Sequence, residues 1–269
     1  MHYSFSRALF FALTIITITP SCFPQTATPE SRIATEATLP DAPRPSQKDI
    51  LFGMPKNILE DQAGIWTSPM RIRSKDFVWL APLAAATGVS LATDHHTMSS
   101  VVSQDPSFNH ANVDAANGLT GGLIAIPATL YGVGLLHNNS HQRETGILSG
   151  EAVINAYVVQ AGNKLMTWRE RPAQNDSRGL FFQGSAGTDS SFPSNHSIIA
   201  WSSAAVVASE YPSRWVQIGV YSMATGVSLT RVMGQQHFPT DVLIGSAAGW
   251  LIGRYVVRQH RHLAQIRSY

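Results

Sequence analysis

Six apolar segments occupy most of the chain beyond residue 76: about Phe77 to Ala92, Asn117 to Leu136, Ile147 to Thr167, Asn195 to Ser209, Arg214 to Leu229 and Thr240 to Val257. Runs of this length read as helices. Six of them in succession predict an all-α, six-helix bundle. With 269 residues, 44% hydrophobic and only 13% charged, the chain can bury a substantial core. A net charge of +2 argues against a nucleic-acid partner. The single cysteine, Cys22, excludes an intramolecular disulfide framework.

Three short polar clusters interrupt this apolar background. Lys164 is followed by Arg171-Pro172; then come Pro193-Ser194-Asn195-His196; then Thr230-Arg231 with His237 and Asp241. Three permanent cations, two histidines and one carboxylate among nearly uncharged segments are costly to hold unless an anion joins them. If the third segment continues as a helix through Trp168, Lys164, Thr167 and Arg171 share one face, and Pro172 ends the helix beside them. Ser194 stands at a favoured N-cap position, where free backbone N–H groups make an anion site, and His196 would project from the first turn. Pro239 reads as the first residue of the last helix, with Asp241 in its first turn. A carboxylate four residues after His237 can accept its Nδ1–H and leave Nε2 aimed outward as a nucleophile.

In order and spacing, the three clusters resemble the signature of the type 2 phosphatidic acid phosphatases. That superfamily also holds bacterial nonspecific acid phosphatases and vanadium haloperoxidases. The likeness covers roughly residues 145 to 257, with every charged position of the signature present. It implies that His237 attacks phosphorus to form a phosphohistidine, with Asp241 orienting its ring. His196 would protonate the leaving group and then activate water. Lys164, Arg171, Ser194, the Asn195 backbone N–H and Arg231 would hold the phosphate oxygens. No cofactor and no metal are implied. Asn195 stands where the family has Gly, and Asn tolerates a positive φ better than other residues. Thr230 replaces Ser and keeps a hydroxyl.

Each cluster has an ordinary structural reading alone: a helix-start hydrogen bond for His237 and Asp241, a basic residue at a helix end for Arg171. The functional reading rests on all three in order. His95, His96, His110, His137 and His141 lack metal-ligand spacing and read as loop residues. Phe181 and Phe182 read as pins for the long connection, or as an apolar entrance.

Residues 1–24 resemble a signal peptide, with an apolar run from Leu9 to Ile18. Lipidation at Cys22 and a retained anchor are the alternatives. Residues 25–76 read as a linker, rich in Pro, Thr, Ala and Ser to Asp49, and a partly ordered lead-in; residues 77–260 form the phosphatase domain. Only the second apolar segment comfortably reaches a membrane-crossing length, and Glu151 and Asn155 interrupt the third. Basic residues Arg71, Arg73, Lys75, Arg143, Arg214, Arg258, Arg261 and Arg267 would share the face opposite the three clusters, as in the positive-inside rule. The expectation is an exported envelope protein with its site facing the periplasm, soluble or membrane-associated. Its expected activity is hydrolysis of a phosphomonoester or diphosphate, a lipid-linked phosphate first. The alternatives are an acid phosphatase on small soluble esters, a vanadate-dependent haloperoxidase and a noncatalytic envelope phosphate-binding protein.

Overall fold

The fifth helix is apolar or small on every face, and such a helix must be buried. In the computed structural model, which describes residues 47–184 and 189–266, it runs down the middle of the bundle. The described residues form seven helices: α1 (Gln47–Trp66), α2 (Phe77–His96), α3 (Pro106–Leu136), α4 (Ser140–Thr167), α5 (Asn195–Glu210), α6 (Arg214–Met233) and α7 (Pro239–Ile266). The six apolar segments correspond to α2 through α7. Residues 1–46, which include the leader and most of the linker, lie outside the described residues, as do 185–188 and 267–269.

Around α5 the core forms in patches. Ala204, Val207 and Ala208 pack with Leu123 of α3 and with Val220, Ala224 and Val227 of α6. Val206 packs with Leu148 and Ala152 of α4 and Val256 of α7. The tightest seam joins α5 to α7. A methyl group placed on Gly245, Gly249 or Gly253 would lie 3.0, 2.2 or 2.4 Å from the carbonyl oxygens of Ser194, Ile198 and Ser202 respectively. Both sets advance by four residues in the same direction, so the two helices run parallel with backbone against backbone. Their N-termini therefore emerge side by side, and Ser194 N–H donates to the Asp241 carbonyl at 3.1 Å.

Two helices start earlier than their apolar runs. Asp105 caps α3, its carboxylate accepting Ser107 N–H at 2.8 Å, and Pro106 occupies the first helical position. A helix, α1, also occupies part of the lead-in and packs on α4. Its Asp61 is buried and accepts Asn155 Nδ2–H at 2.9 Å, while Gln62 Nε2–H donates to Asn155 Oδ1 at 2.7 Å. Glu151, also buried, faces His260 Nε2 at 3.0 Å. Burial and the adjacent Glu151 push the Asp61 carboxyl up to about 7. The polar residues that interrupt the third apolar segment thus serve as the anchorage of α1.

The outer helices show an apolar surface. The most apolar 18-residue window of Ser74–Val101 has a mean hydropathy of 1.3 with none of it buried, and that of α3 reaches 1.7 with 22% buried. Among the described residues two helices, rather than one, are therefore long and apolar enough to cross a membrane. Leu136 and Trp215 are each 82% exposed, and Ile154, Leu165, Ile218 and Leu251 extend the mantle over α4, α6 and α7.

Gly249→Ala should cost about 1–3 kcal/mol through overpacking against Ile198. Gly219→Ala, in open space on α6, should be neutral or stabilising by up to about 1 kcal/mol. Thermal unfolding of the two variants checks the contrast.

Candidate active site

Helix α4 stops at Thr167 because Trp168 turns into the left-handed region, φ 41° and ψ 45°. Arg171 is therefore not on the helical face of Lys164, as a continuous helix would have placed it. The chain folds back instead. Arg169 N–H donates to Ser190 Oγ at 3.0 Å, Ser191 N–H to the Arg169 carbonyl at 2.8 Å, and Gly184 N–H to the Trp168 carbonyl at 2.7 Å. Arg171 returns to the pocket through this loop, with its Nε–H on the Asp189 carbonyl at 3.0 Å.

Lys164 and Arg231 are almost wholly buried, at 3% and 5% exposed. Burial and then Arg171 push the Lys164 ammonium down to about 8, and the same two causes lower Arg231 to about 10. Two buried cations beside a third make this end of the bundle suited to an anion. Two buried polar atoms there lack a protein partner among the described residues, Arg231 Nε and Asn195 Oδ1. Asn195 is the first residue of α5 and is absent from the positive-φ residues. The helix start accommodates it with ordinary backbone, so the special tolerance of Asn is not used. Ser194 caps α5, its Oγ accepting Ser197 N–H at 3.4 Å and Ser197 Oγ–H at 3.1 Å.

On the first turn of α5, His196 places Nε2 3.0 Å from Asn117 Oδ1, which fixes that nitrogen as the protonated one in the neutral ring. Burial, then the Arg231, His237, Lys164 and Arg171 charges, lower His196 to about 4. His237 is buried at 1% exposed and is also lowered to about 4, by burial against the opposing pull of Asp241. Its Nδ1–H donates to the Ser191 carbonyl at 2.8 Å. This leaves the neutral Nε2 with a lone pair.

Asp241 sits 3.7 Å from His237 Nδ1, beyond hydrogen-bond length. The reason is that its oxygens are already engaged. Oδ1 accepts Arg169 at 2.6 Å; Oδ2 accepts Ser191 Oγ–H at 2.5 Å and Phe238 N–H at 2.9 Å. Asp241 thus acts on His237 through Ser191 and the helix start. Burial pushes its carboxyl up, but His237, Arg169 and Ser191 together hold it below its ordinary value. Arg169, 1% exposed, spans from Asp241 to Asp94 of α2 at 2.7 Å, gives its Nε–H to the Gly179 carbonyl at 3.1 Å, and lies between the Phe181 and Phe238 rings.

The fold thus brings Lys164, Arg171, Ser194, Asn195, His196, Arg231, His237 and Asp241 to one end of the bundle. Sequence reasoning missed Arg169, Ser191, Asn117 and Asp94. Arg169 lies two residues before Arg171 but is distinguished only by partners about 70 residues away. His95, His96, His110 and His141 lie on helices α2, α3 and α4 and are not loop residues. His95 Nδ1 faces the Ser177 carbonyl at 3.2 Å, and His141 pairs with Glu210 at 3.2 Å. Phe181 packs edge-on to Phe192, so it pins the connection, whereas Phe182 is 71% exposed. Thr230 Oγ turns back onto the Gly226 carbonyl at 2.7 Å.

All eight of these residues fall within residues 146–264, which match the family model of the PAP2 superfamily. That stretch belongs to the PAP2 superfamily. A lipid A 1-phosphatase of Porphyromonas gingivalis is 35% identical to this chain over 65 residues, 23% of the chain and 15% of the relative's length. The match therefore spans only a small part of that relative. The crystal structure of a transmembrane PAP2 type phosphatidylglycerolphosphate phosphatase from Bacillus subtilis aligns with a TM-score of 0.46 and 17% identity. It covers 80% of this chain and 97% of the other.

Arg169→Met would leave two carboxylates buried without their cation. It should destabilise the PAP2 region by about 3–5 kcal/mol, whereas Arg178→Met should be near neutral; denaturant titration of the two variants measures the difference.

Proposed function

We propose that this chain is a metal-independent phosphatase that hydrolyses a lipid-linked phosphate through a phosphohistidine at His237. The observation that carries this reading is a buried neutral histidine whose Nδ1–H is held by the Ser191 carbonyl, beside Lys164 and Arg231, two buried cations lowered by burial and the neighbouring Arg171. The PAP2 match and the name of the Porphyromonas relative support the same chemistry.

In this mechanism Lys164, Arg171 and Arg231 bind the phosphoryl oxygens, with the Ser194 cap and the N-terminal N–H groups of α5 adding donors. His237 Nε2 attacks phosphorus; the P–N bond forms as the P–O bond to the leaving group breaks. His196 gives its proton to the departing oxygen. Water then enters, His196 takes a proton from it, and its oxygen displaces His237 to release phosphate.

His196 starts as a neutral imidazole at pH 7, because its value of about 4 is set by burial, the Arg231, Lys164 and Arg171 cations and the neighbouring His237 ring. A bound phosphate dianion cancels that field, raises the ring's proton affinity and loads the acid only when substrate is present. Asn117 and Asp241 act as positioning residues, the first for His196 and the second for Ser191.

A lipid substrate is favoured by the apolar mantle. Ser74–Val101 and α3 would lie in the bilayer, with the site at one end of the bundle. Arg71, Arg73, Lys75, Arg143, Arg214, Arg258 and Arg261 belong to the opposite helix ends, so the positive-inside rule puts the site on the periplasmic side.

His237→Ala should abolish both phosphate release and a phosphoenzyme trapped by alkaline quench, which preserves the P–N bond, with EDTA leaving the wild-type rate unchanged. A phosphoenzyme persisting in the variant, or inhibition by EDTA, would overturn the mechanism. Vanadate binding at pH 7 should take up about one proton in the wild type and far less in His196→Gln. Calorimetry in buffers of different ionisation enthalpy reads this uptake, and equal uptake by both proteins would remove His196 from the acid role.

A further inference from the structure

A second cavity lies away from the catalytic pocket. It has a volume of about 540 Å3 and separates α2 and the turns before it from α7. This falls within the range of about 300–1,000 Å3 usual for small-molecule sites. Its walls are apolar: Trp79, Leu80 and Leu83 come from α2, and Ile244, Ala247 and Leu251 from one stripe of α7. Helix α2 is pinned to the body at its other end, where Asp94 accepts Arg169 at 2.7 Å and Thr240 N–H at 3.2 Å.

One end of this groove is cationic. Arg71, Arg254 and Arg258 line it, against the single carboxylate of Asp76. Arg71 spends one terminal nitrogen on the Gly64 carbonyl at 3.0 Å and on Thr67 Oγ1. Asp76 accepts the Arg73 N–H at 2.8 Å and forms no ion pair among the described residues. Arg254 lies 4.9 Å over the Trp250 ring, and its Nε is buried with no hydrogen-bond partner among the described residues. A buried guanidinium nitrogen left unpaired at the mouth of an apolar slot needs an acceptor from outside the chain. Along α7, Arg258 lies about 25 Å from Asp241 at 1.5 Å per residue, so no phosphate held by Arg254 and Arg258 reaches His237.

We propose that this groove binds one anionic glycerophospholipid of the bilayer as a noncatalytic ligand. An acyl chain lies between α2 and α7, and the headgroup phosphate bonds Arg254 and Arg258 in the leaflet opposite the active site. Charge complementarity selects an anionic over a zwitterionic headgroup, and the exposed apolar face of α2 places the slot at acyl-chain depth. The inference rests on the membrane placement proposed above but not on the phosphohistidine chemistry.

Native mass spectrometry of the full chain released from detergent tests this, with phosphatidylglycerol and phosphatidylcholine of equal chain length as the probes. The wild type should retain one phosphatidylglycerol and prefer it over phosphatidylcholine by roughly tenfold. In Arg254→Gln/Arg258→Gln that preference should collapse, with hydrolysis of a water-soluble ester unchanged. Ala247→Phe, which fills the slot, should lose both lipids; melting temperature verifies that each variant is folded. Arg231→Gln should keep the adduct while losing phosphate release. Equal retention of the two lipids by the wild type would overturn the proposal. So would an adduct lost in Arg231→Gln but kept in the double arginine variant, which would put the lipid in the catalytic pocket. Failure of the membrane placement is read separately, as a chain that does not sediment with membranes, and failure of the catalytic reading as absent phosphate release.

Discussion

The backbone contact between α5 and α7 is the constraint on which the site depends. Glycines at 245, 249 and 253 let the two helices meet with no side chain between them, at separations where even a methyl group would collide with a carbonyl. Because the helices run parallel, their N-termini open together. The Ser194 N–H to Asp241 carbonyl bond fixes the axial register of that opening. Any slip along the seam would carry His196 away from His237. An apolar seam of larger side chains would have allowed several registers, and the absence of side chains allows one.

From that seam the polar architecture follows outward. Asp241, buried at the start of α7, needs compensation, and Arg169 supplies it while tying in Asp94 from α2. The loop after α4 folds back so that Ser191 can serve Asp241 with its hydroxyl and His237 with its carbonyl. His237 is thereby held neutral and oriented without a direct bond from its carboxylate neighbour. The energetic logic is that a buried charge is tolerable only when each lone pair is engaged. At the same end of the bundle Arg231 keeps a buried Nε with no hydrogen-bond partner among the described residues, and the proposed anion site is built around it.

Much of the candidate site's placement was legible because its spacing is local. Pro193-Ser194-Asn195-His196 spells a helix start, and His237 to Asp241 spans another; both elements begin where the residue types require. The helical reading of all six apolar segments was similarly local. What escaped were features set by long-range contact. Trp168 adopts a left-handed conformation that no propensity would assign, so Arg171 reaches the pocket by a loop and not along a helix. Asn117 meets His196 across 79 residues, and Asp94 meets Arg169 across 75.

The sequence by itself determined an all-helical chain, the residues proposed to handle a phosphate, and the helix termini near which they lie, since caps, prolines and apolar runs act within a few residues. Only the tertiary structure decided which carbonyl orients His237, which arginine compensates Asp241, and that a cationic groove lies far along α7 from the site. Those choices depend on distances between groups remote in the chain, and such distances are set by packing, which no local pattern encodes.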